Sequence, residues 1–450
     1  VNRERYHFIG IGGAGMSVIA ELLHGRGAVV QGSDAKPSAT LERLESRGIH
    51  CYPTQDASQV PPDHTVVRST AIKDDNPELA TALERGQEII HRSEALVRAA
   101  RGLDFVAVAG AHGKTTTSGM LAAALVEAGA DPSYAVGGSV LGLGSGARLG
   151  SGSVFVAEAD ESDGSFLAYQ PRVAIVTNVE PDHLDHYGSE EAFADAFLQF
   201  ASRLVDGGLL ICCADDAGSA HLAERARSEG LRVATYGRSA NADVIVDGDD
   251  VFIGEDCYRL SLQVAGDHNR LNAAAALIAG IELGVPAPLM ARSLGAFAGT
   301  DRRFEPRGYV GGIRVVDDYA HHPTEVAATI ATARTQVGSS RVLVLFQPHL
   351  FSRTKNFADR FAGALSAADS VVVADIFPAR EAPMPGVTSA LITEKLPGAE
   401  FVPDLTDAAA RIASLARPGD IIITMGAGSV TEAGPMILAA LAGDSGQVTP

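Results

Sequence analysis

Short apolar runs alternate along the chain with longer segments whose apolar residues recur at helical spacing. Parallel strands need crossover helices, so this alternation predicts an α/β fold with parallel sheets. The pattern restarts three times. The first section opens on a strand over 6–11 that runs into glycines. A helix over about 16–24 and strands at 28–32 and 66–69 follow. The second starts with a strand at 105–109 and continues with strands at 153–157, 173–177 and 208–212. The third follows 299–303, with strands at 314–317, 341–346, 370–374 and 420–424. The predicted domains are therefore 1–102, 103–300 and 301–450, and the tail over 443–450 is expected to fray.

The 450 residues are too many for one ordinary core, and 46% hydrophobic residues are enough for several. No apolar run reaches the length of a membrane span and no charged-then-apolar leader opens the chain, so a cytoplasmic protein without membrane insertion is expected. Cys51, Cys212, Cys213 and Cys257 have neither zinc nor disulfide spacing and read as buried thiols in a reducing compartment. Acidic residues outnumber Lys plus Arg by 55 to 36, a formal charge of −19. That argues against a nucleic-acid partner, which needs a basic face. It leaves room for an anionic small substrate, because a few arginines and helix N-termini can hold phosphates.

Two glycine loops follow strands. Gly10-Ile11-Gly12-Gly13-Ala14-Gly15 has the G-x-G-x-x-G spacing between a strand and a helix, and Asp34 follows the next strand, where a ribose-binding acid sits. A dehydrogenase site, a nucleotide-sugar site and a tight turn without ligand all fit this motif alone. Ala109-Gly110-Ala111-His112-Gly113-Lys114-Thr115-Thr116 is a phosphate loop ending in Gly-Lys-Thr. Its amides would cradle phosphates, Lys114 would neutralise them and Thr115 would reach Mg²⁺. Only two residues separate Gly110 from Gly113, shorter than the usual spacing, which disfavours an ordinary kinase or GTPase. Two phosphate loops suggest one nucleotide for energy and one diphosphate on the substrate.

Glu158-Ala159-Asp160-Glu161-Ser162-Asp163 puts four acids at a strand's C-terminal end, a setting that suits a hard cation. A solvated acidic turn is the bland alternative. Asn178-Val179-Glu180-Pro181-Asp182-His183 brings acid and imidazole groups to the same edge, where His183 could hold a second metal ion or simply hydrogen bond.

Together these motifs resemble the Mur ligase family, in family order and over essentially the whole chain. The resemblance includes Gly266-Asp267-His268-Asn269-Arg270-Leu271-Asn272 and Arg302-Arg303-Phe304. Several stretches resemble its alanine-adding branch: His7 to Ser17, Ser69-Thr70-Ala71-Ile72, Asp317 to Glu325, Phe346-Gln347-Pro348-His349 with Ser352-Arg353-Thr354, and Asp375 to Glu381. The resemblance implies a UDP-sugar-binding Rossmann-like domain, a central ATPase domain and a C-terminal Rossmann-like domain that swings to close the cleft. It implies ATP and Mg²⁺ as co-substrate and cofactor, with UDP-N-acetylmuramate and L-alanine as the partners, in a monomer or weak homodimer.

The residues carry over as follows. Gly12, Gly13, Ala14, Gly15, Ser33, Asp34, Ser69 and Thr70 would bind the UDP-sugar. Gly110, Ala111, His112, Gly113, Lys114, Thr115 and Thr116 would bind ATP phosphates, and His268 and Asn269 the adenine or ribose. Arg302 would meet the γ-phosphate. Thr115, Glu158 and His183 would hold metal, and His321, His349, Arg353 and Arg380 would face the amino acid. Lys114, Glu158, His183 and Arg302 form the expected catalytic set. Two departures stand out: Ala111 replaces the family's usual Thr, and residues 184–202 hold no lysine, as the alanine-adding branch implies.

The implied reaction is transfer of the ATP γ-phosphate to a carboxylate, then attack by an amine on the acyl phosphate. His183 and His349 are the candidate bases. A recycling ligase that attaches a preformed peptide shares most motifs. A dehydrogenase leaves the second loop unexplained, and a non-enzymatic ATP switch leaves the first without a purpose.

Overall fold

The structure is a computed structural model and describes residues 3–181, 184–379, 381–445 and 448–449. Among these residues the strands form three sheets. The first is fully parallel, in the order His50–Tyr52, Val29–Ser33, Arg5–Ile9, Thr65–Arg68, Ile89–His91. Strand order reverses at Arg5–Ile9, which places the first glycine loop at a topological switch point.

The second sheet has ten strands. Its parallel centre runs Arg232–Gly237, Leu209–Cys213, Val173–Val176, Asp104–Ala109, Val154–Glu158, Ser133–Ala135. The third has seven strands, with a parallel centre of Ser370–Val373, Val342–Phe346, Ile421–Met425 and Ile313–Asp318. The first two sheets share one compact unit, residues 1–263 with 269–298, and the third belongs to another, 264–268 with 299–450.

The expectation of parallel sheets holds for the centres and fails at edges. Asp250–Ile253 and Asp256–Arg259 form an antiparallel hairpin, and Glu305–Val310 runs antiparallel to Ile313–Asp318. A hairpin needs only a tight turn, so it can extend a sheet without a crossover helix. The tail also departs from expectation. Helix Ala433–Ser445 passes through 443–445, and Val448–Thr449 pair with the strand Glu305–Val310. Of the four cysteines, Cys257 is exposed on its edge hairpin and the other three are buried.

Helix starts serve the loops that carry chemistry. Asp216 caps helix Ala217–Ser228 by accepting from the Ser219 amide at 2.7 Å, and the same oxygen accepts from the Val179 amide at 2.9 Å. One carboxylate thus starts a helix and fixes the chain just beyond Asn178. Helices Lys114–Glu127 and Asp267–Glu282 are buried on nearly all sides, consistent with their many small residues.

The acidic stretch after Val154–Glu158 is anchored by Phe166. Its ring is fully buried and packs against Phe197 at 5.4 Å and Phe200 at 5.0 Å, both on helix Glu190–Ala201. Phe166→Ala should cost about 3–5 kcal/mol, because the ring's contacts are lost and a cavity remains. A urea-unfolding midpoint unchanged from the parent would contradict that anchoring.

Candidate active site

The second glycine loop connects strand Asp104–Ala109 to helix Lys114–Glu127 and leans on the neighbouring strand end. Thr177 donates from its hydroxyl to the His112 carbonyl at 2.5 Å. Asn178 grips the same residue twice: its Oδ1 accepts from the His112 amide and its Nδ2 donates to the His112 carbonyl, both at 2.9 Å. Gly110 has φ +129°, and a Cβ there would collide with the Thr177 hydroxyl. Gly113 has φ +83°, and a Cβ there would lie 3.0 Å from Asn272 Oδ1. Both glycines are therefore required by backbone shape and by close neighbours. Thr177, Asn178 and Asn272 brace the loop from distant segments, a role the motif itself did not reveal.

Lys114 folds back over its loop, donating to the Gly110 carbonyl at 2.5 Å and to Glu161 Oε1 at 2.8 Å. Burial penalises the ammonium, but Glu161, with Asp160 and Glu158 behind it, more than offsets that and raises the Lys114 pKa, while burial pushes the Glu161 carboxyl up against the pull of Lys114. The second oxygen of Glu161 is buried and has no hydrogen-bond partner among the described residues.

The acidic stretch does not act as one cluster, because each carboxylate has its own partner. Glu158 accepts from the Gly137 amide at 2.6 Å. Asp160 accepts from Arg92 Nη2 at 2.7 Å and from the Ser162 amide at 3.0 Å. Burial opposes its ionisation, yet Arg92 and Ser162 hold its carboxyl down at about 2. Asp163 accepts from the Thr70 hydroxyl at 3.1 Å and the Ser165 amide at 3.0 Å.

For Mg²⁺ the donor set fits. A Cβ on Gly137 would lie 2.9 Å from both Glu158 oxygens, and one on Gly138 3.6 Å from Thr115 Cγ2. Glu158 and Thr115 thus flank one glycine turn, Thr115 through its methyl group, and the carboxylate and hydroxyl of this pair are the hard oxygens that the ion prefers. His183, the third expected ligand, lies outside the described residues, as does Arg380.

In the first loop only Gly10 has positive φ, at +79°. Its amide and that of Ile11 donate to the Ser33 carbonyl, each at 2.8 Å. The Ser33 hydroxyl is buried and donates to Glu78 at 2.5 Å, so Ser33 supports the loop from behind. Asp34 Oδ2 accepts from the Gly12 amide at 2.9 Å. No side chain caps helix Ala14–Gly25, and its first turn has no acid, which leaves its N-terminal potential available. Gly13 caps that helix through its backbone, with Ala14 and Gly15 as the first helical residues. Ser69 closes a turn by accepting the Ile72 amide at 3.1 Å.

In the other unit, Arg302 has φ +58° and donates to buried Asp317 at 2.9 Å and to the Gly426 carbonyl at 2.6 Å. His321 and His349 come together with ring centroids 5.9 Å apart, and Arg353 Nη1 donates to His349 Nδ1 at 3.4 Å. Three of the four residues expected on the amino-acid side thus converge. Burial lowers His321 to about 3 against the opposing Glu325 carboxylate at 3.2 Å, with Arg353 adding to the lowering, and burial with Arg353 lowers His349 to about 4. His268 is exposed and Asn269 buried, and the two fall in different compact units. Ala111 lies within the braced loop, and Thr116 is buried on the first turn of the helix that follows it.

The fold and these loops define a three-domain α/β protein of the nucleotide-binding type. Residues 5–103 match the profile described as Mur ligase family, catalytic domain, 108–280 the Mur ligase middle domain, and 302–428 the Mur ligase, glutamate ligase domain. The chain belongs to the Mur ligase family. It is 53% identical to UDP-N-acetylmuramate–L-alanine ligase of Renibacterium salmoninarum, over 99% of this chain and 97% of that one. The same-named protein of Kineococcus radiotolerans is also 53% identical, covering 97% and 96% of the two chains. Among solved structures, UDP-N-acetylmuramate–alanine ligase of Thermotoga maritima matches with TM-score 0.78 and 27% identity, over 98% of this chain and all of that one. A murein peptide ligase from Psychrobacter arcticus matches with TM-score 0.69 and 25% identity, over 99% and 100%. No described helix is long and apolar enough to cross a membrane.

The two histidines generate a pH prediction. Their folded pKa values lie below the ordinary 6.5, so both rings are neutral at pH 7. The stability they confer is present above about pH 6.5 and is lost as pH falls toward their folded values. The ring resonances of His321 and His349 should stay fixed in NMR spectra between pH 8 and about 5.5. A midpoint between pH 6 and 7 for either ring would overturn this assignment.

Proposed function

We propose that this chain is an ATP-dependent ligase joining the amino group of L-alanine to the carboxylate of UDP-N-acetylmuramate, in peptidoglycan precursor synthesis. The observation that carries the reading is 53% identity, along nearly the whole chain, to relatives named for that reaction. We assign residues 1–102 to the UDP-sugar, 103–300 to ATP and 301–450 to the amino acid, in a protein working in the cytoplasm as a monomer or weak homodimer. A ligase that attaches a preformed peptide to the same sugar nucleotide is the second reading. The murein peptide ligase match favours it, but that match is weaker in identity and in fold overlap than the alanine ligase match.

In the proposed reaction the carboxylate oxygen attacks the γ-phosphorus of ATP, giving an acyl phosphate and ADP. The uncharged amine then attacks the acyl carbon, phosphate leaves with the C–O bonding pair, and the amine's surplus proton passes to a base. Lys114 offsets the negative charge gathered on the phosphoryl group, with the amides of residues 110–116 around it. Arg302 is assigned to the γ-phosphate, and His268 and Asn269 to the adenosine. Mg²⁺, when held by Thr115, Glu158 and His183, supplies further charge neutralisation. On the amino-acid side, Arg353 and Arg380 suit the carboxylate of alanine. His349 and His321, both neutral, can accept a proton, and His349 and His183 are the two candidate bases.

The test is mass spectrometry of the product formed from UDP-N-acetylmuramate, ATP and Mg²⁺ with L-alanine, D-glutamate or the cell-wall tripeptide in separate reactions. The expected result is a product gaining one alanine, with ADP and phosphate released. Product with the tripeptide alone would transfer the chain to the second reading. Lys114→Ala should lower kcat by about 10²–10³-fold in a folded protein, the scale for removing one charge-stabilising donor. Near-parent turnover in that variant would remove the ATP assignment.

A further inference from the structure

Arg92 belongs to neither glycine loop nor to the acidic stretch, yet it stands where the first sheet presents its loops. In a parallel sheet the segments after each strand emerge on one edge. The first glycine loop follows Arg5–Ile9, Asp34 follows Val29–Ser33, Ser69 and Thr70 follow Thr65–Arg68, and Arg92 follows Ile89–His91 directly. Arg92 opens helix Arg92–Ala99, and its Nη1 lies 3.3 Å from where a Cβ on Gly15 would sit. A side chain at position 15 would push the guanidinium away. Gly15 therefore lets a cation sit against the N-terminus of helix Ala14–Gly25.

The other edge of the guanidinium is held. Nη2 donates to Asp160 Oδ2 at 2.7 Å, with Asp163 Oδ2 at 4.0 Å. Both acids are steadied by their own loop, Asp160 by the Ser162 amide and Asp163 by the Ser165 amide, and Asp163 also accepts from the Thr70 hydroxyl of the first sheet. An arginine that served only to join the two sheets would need this edge alone. A planar fork with one edge on a carboxylate and the other toward an uncapped helix N-terminus is arranged for a second anion.

We infer that Arg92 is a binding residue for the diphosphate of the sugar nucleotide, and that Asp160 is the positioning residue that presents it. A diphosphate lying along Gly12 to Gly15 would meet the helix amides on one side and the guanidinium on the other. Lysine could supply the charge but could not hold both anions in one plane. The inference rests on reading the first loop as the sugar-nucleotide site.

The test uses the full-length protein and isothermal titration calorimetry with UDP and with UDP-N-acetylmuramate, for the parent, Arg92→Met, Arg92→Lys and Asp160→Asn. Arg92→Met should weaken both ligands about 10- to 100-fold, the scale of a lost hydrogen bond to a charged group. In turnover, KM for the sugar nucleotide should rise by the same factor while KM for ATP and L-alanine stay put. Arg92→Lys should fall between, and it carries the test should Arg92→Met not fold. Asp160→Asn should weaken UDP less than Arg92→Met, and the double variant should be no weaker than Arg92→Met alone. Parent-like UDP affinity in the folded Arg92 variants would overturn the inference. So would a loss confined to UDP-N-acetylmuramate, which would place Arg92 on the sugar or its carboxylate. A parent protein that binds neither ligand would remove the reading of the first loop, and the inference with it.

Discussion

A buried ammonium requires a counter-charge, and much of the central domain is organised around supplying one to Lys114. Glu161 meets it at 2.8 Å, on a loop that starts where strand Val154–Glu158 ends. Removing one member of such a pair is far costlier than the pair's net worth, because the remaining charge stays buried and uncompensated. The constraint propagates outward. Glu161 can hold its place only if its loop is fixed, and Tyr187 donates to its carbonyl while Phe166 packs beneath. Lys114 can turn back to the Gly110 carbonyl only if the loop is tight, which requires Gly110 against Thr177 and Asn178. An incoming triphosphate would offer Lys114 a second anion without obliging any of these supports to move.

The same principle separates the acids of that loop into different tasks. Glu158, on the strand itself, faces the glycine turn beside Thr115 and keeps hard oxygens near a phosphate loop. Asp160 and Asp163 turn toward the first sheet and meet Arg92 and Thr70. A short acidic stretch thus faces two glycine loops at once, because the chain leaves its strand after Glu158 and turns through 159–164. Residues adjacent in sequence, Asp160 and Glu161, bear on different loops.

What was legible in the sequence was local. A strand followed by glycines and a helix is a contiguous pattern, so both loops, Lys114 and the α/β class could be read directly. The central strands were legible because five or six consecutive apolar residues exceed what a turn or an exposed helix carries. His50–Tyr52, Ile89–His91 and Ser133–Ala135 are three residues each, too short to display a period, and only their neighbours make them strands. The braces were illegible for a related reason. Asn178 holds His112 across 66 positions and Arg92 reaches Asp160 across 68, so no spacing rule connects them. Glu78 is the clearest case. It reads as a surface acid in a helix's first turn, yet it is fully buried, accepting from Ser33 and the Asp56 amide beside His7. Ser33 was expected at the UDP-sugar site, and this hidden carboxylate is why its hydroxyl faces inward.

On the proposed function the third sheet poses the opposite electrostatic problem, since its candidate site would receive a zwitterion. An amino acid carries a carboxylate that needs a cation and an amine that must shed a proton before it can attack. Arginine stays charged at any relevant pH and suits the first need. A protonated imidazole would repel an ammonium and could take no proton from it. Burial keeps His321 and His349 neutral, and Arg353 beside them opposes their protonation further. The cost is basicity, because a ring that is hard to protonate is a weak base. That trade suits a reaction whose leaving group is phosphate, since expelling it needs no general acid once ATP has converted the carboxylate to an acyl phosphate. The base then has only to receive a proton from an amine whose acidity rises sharply as its nitrogen bonds to carbon.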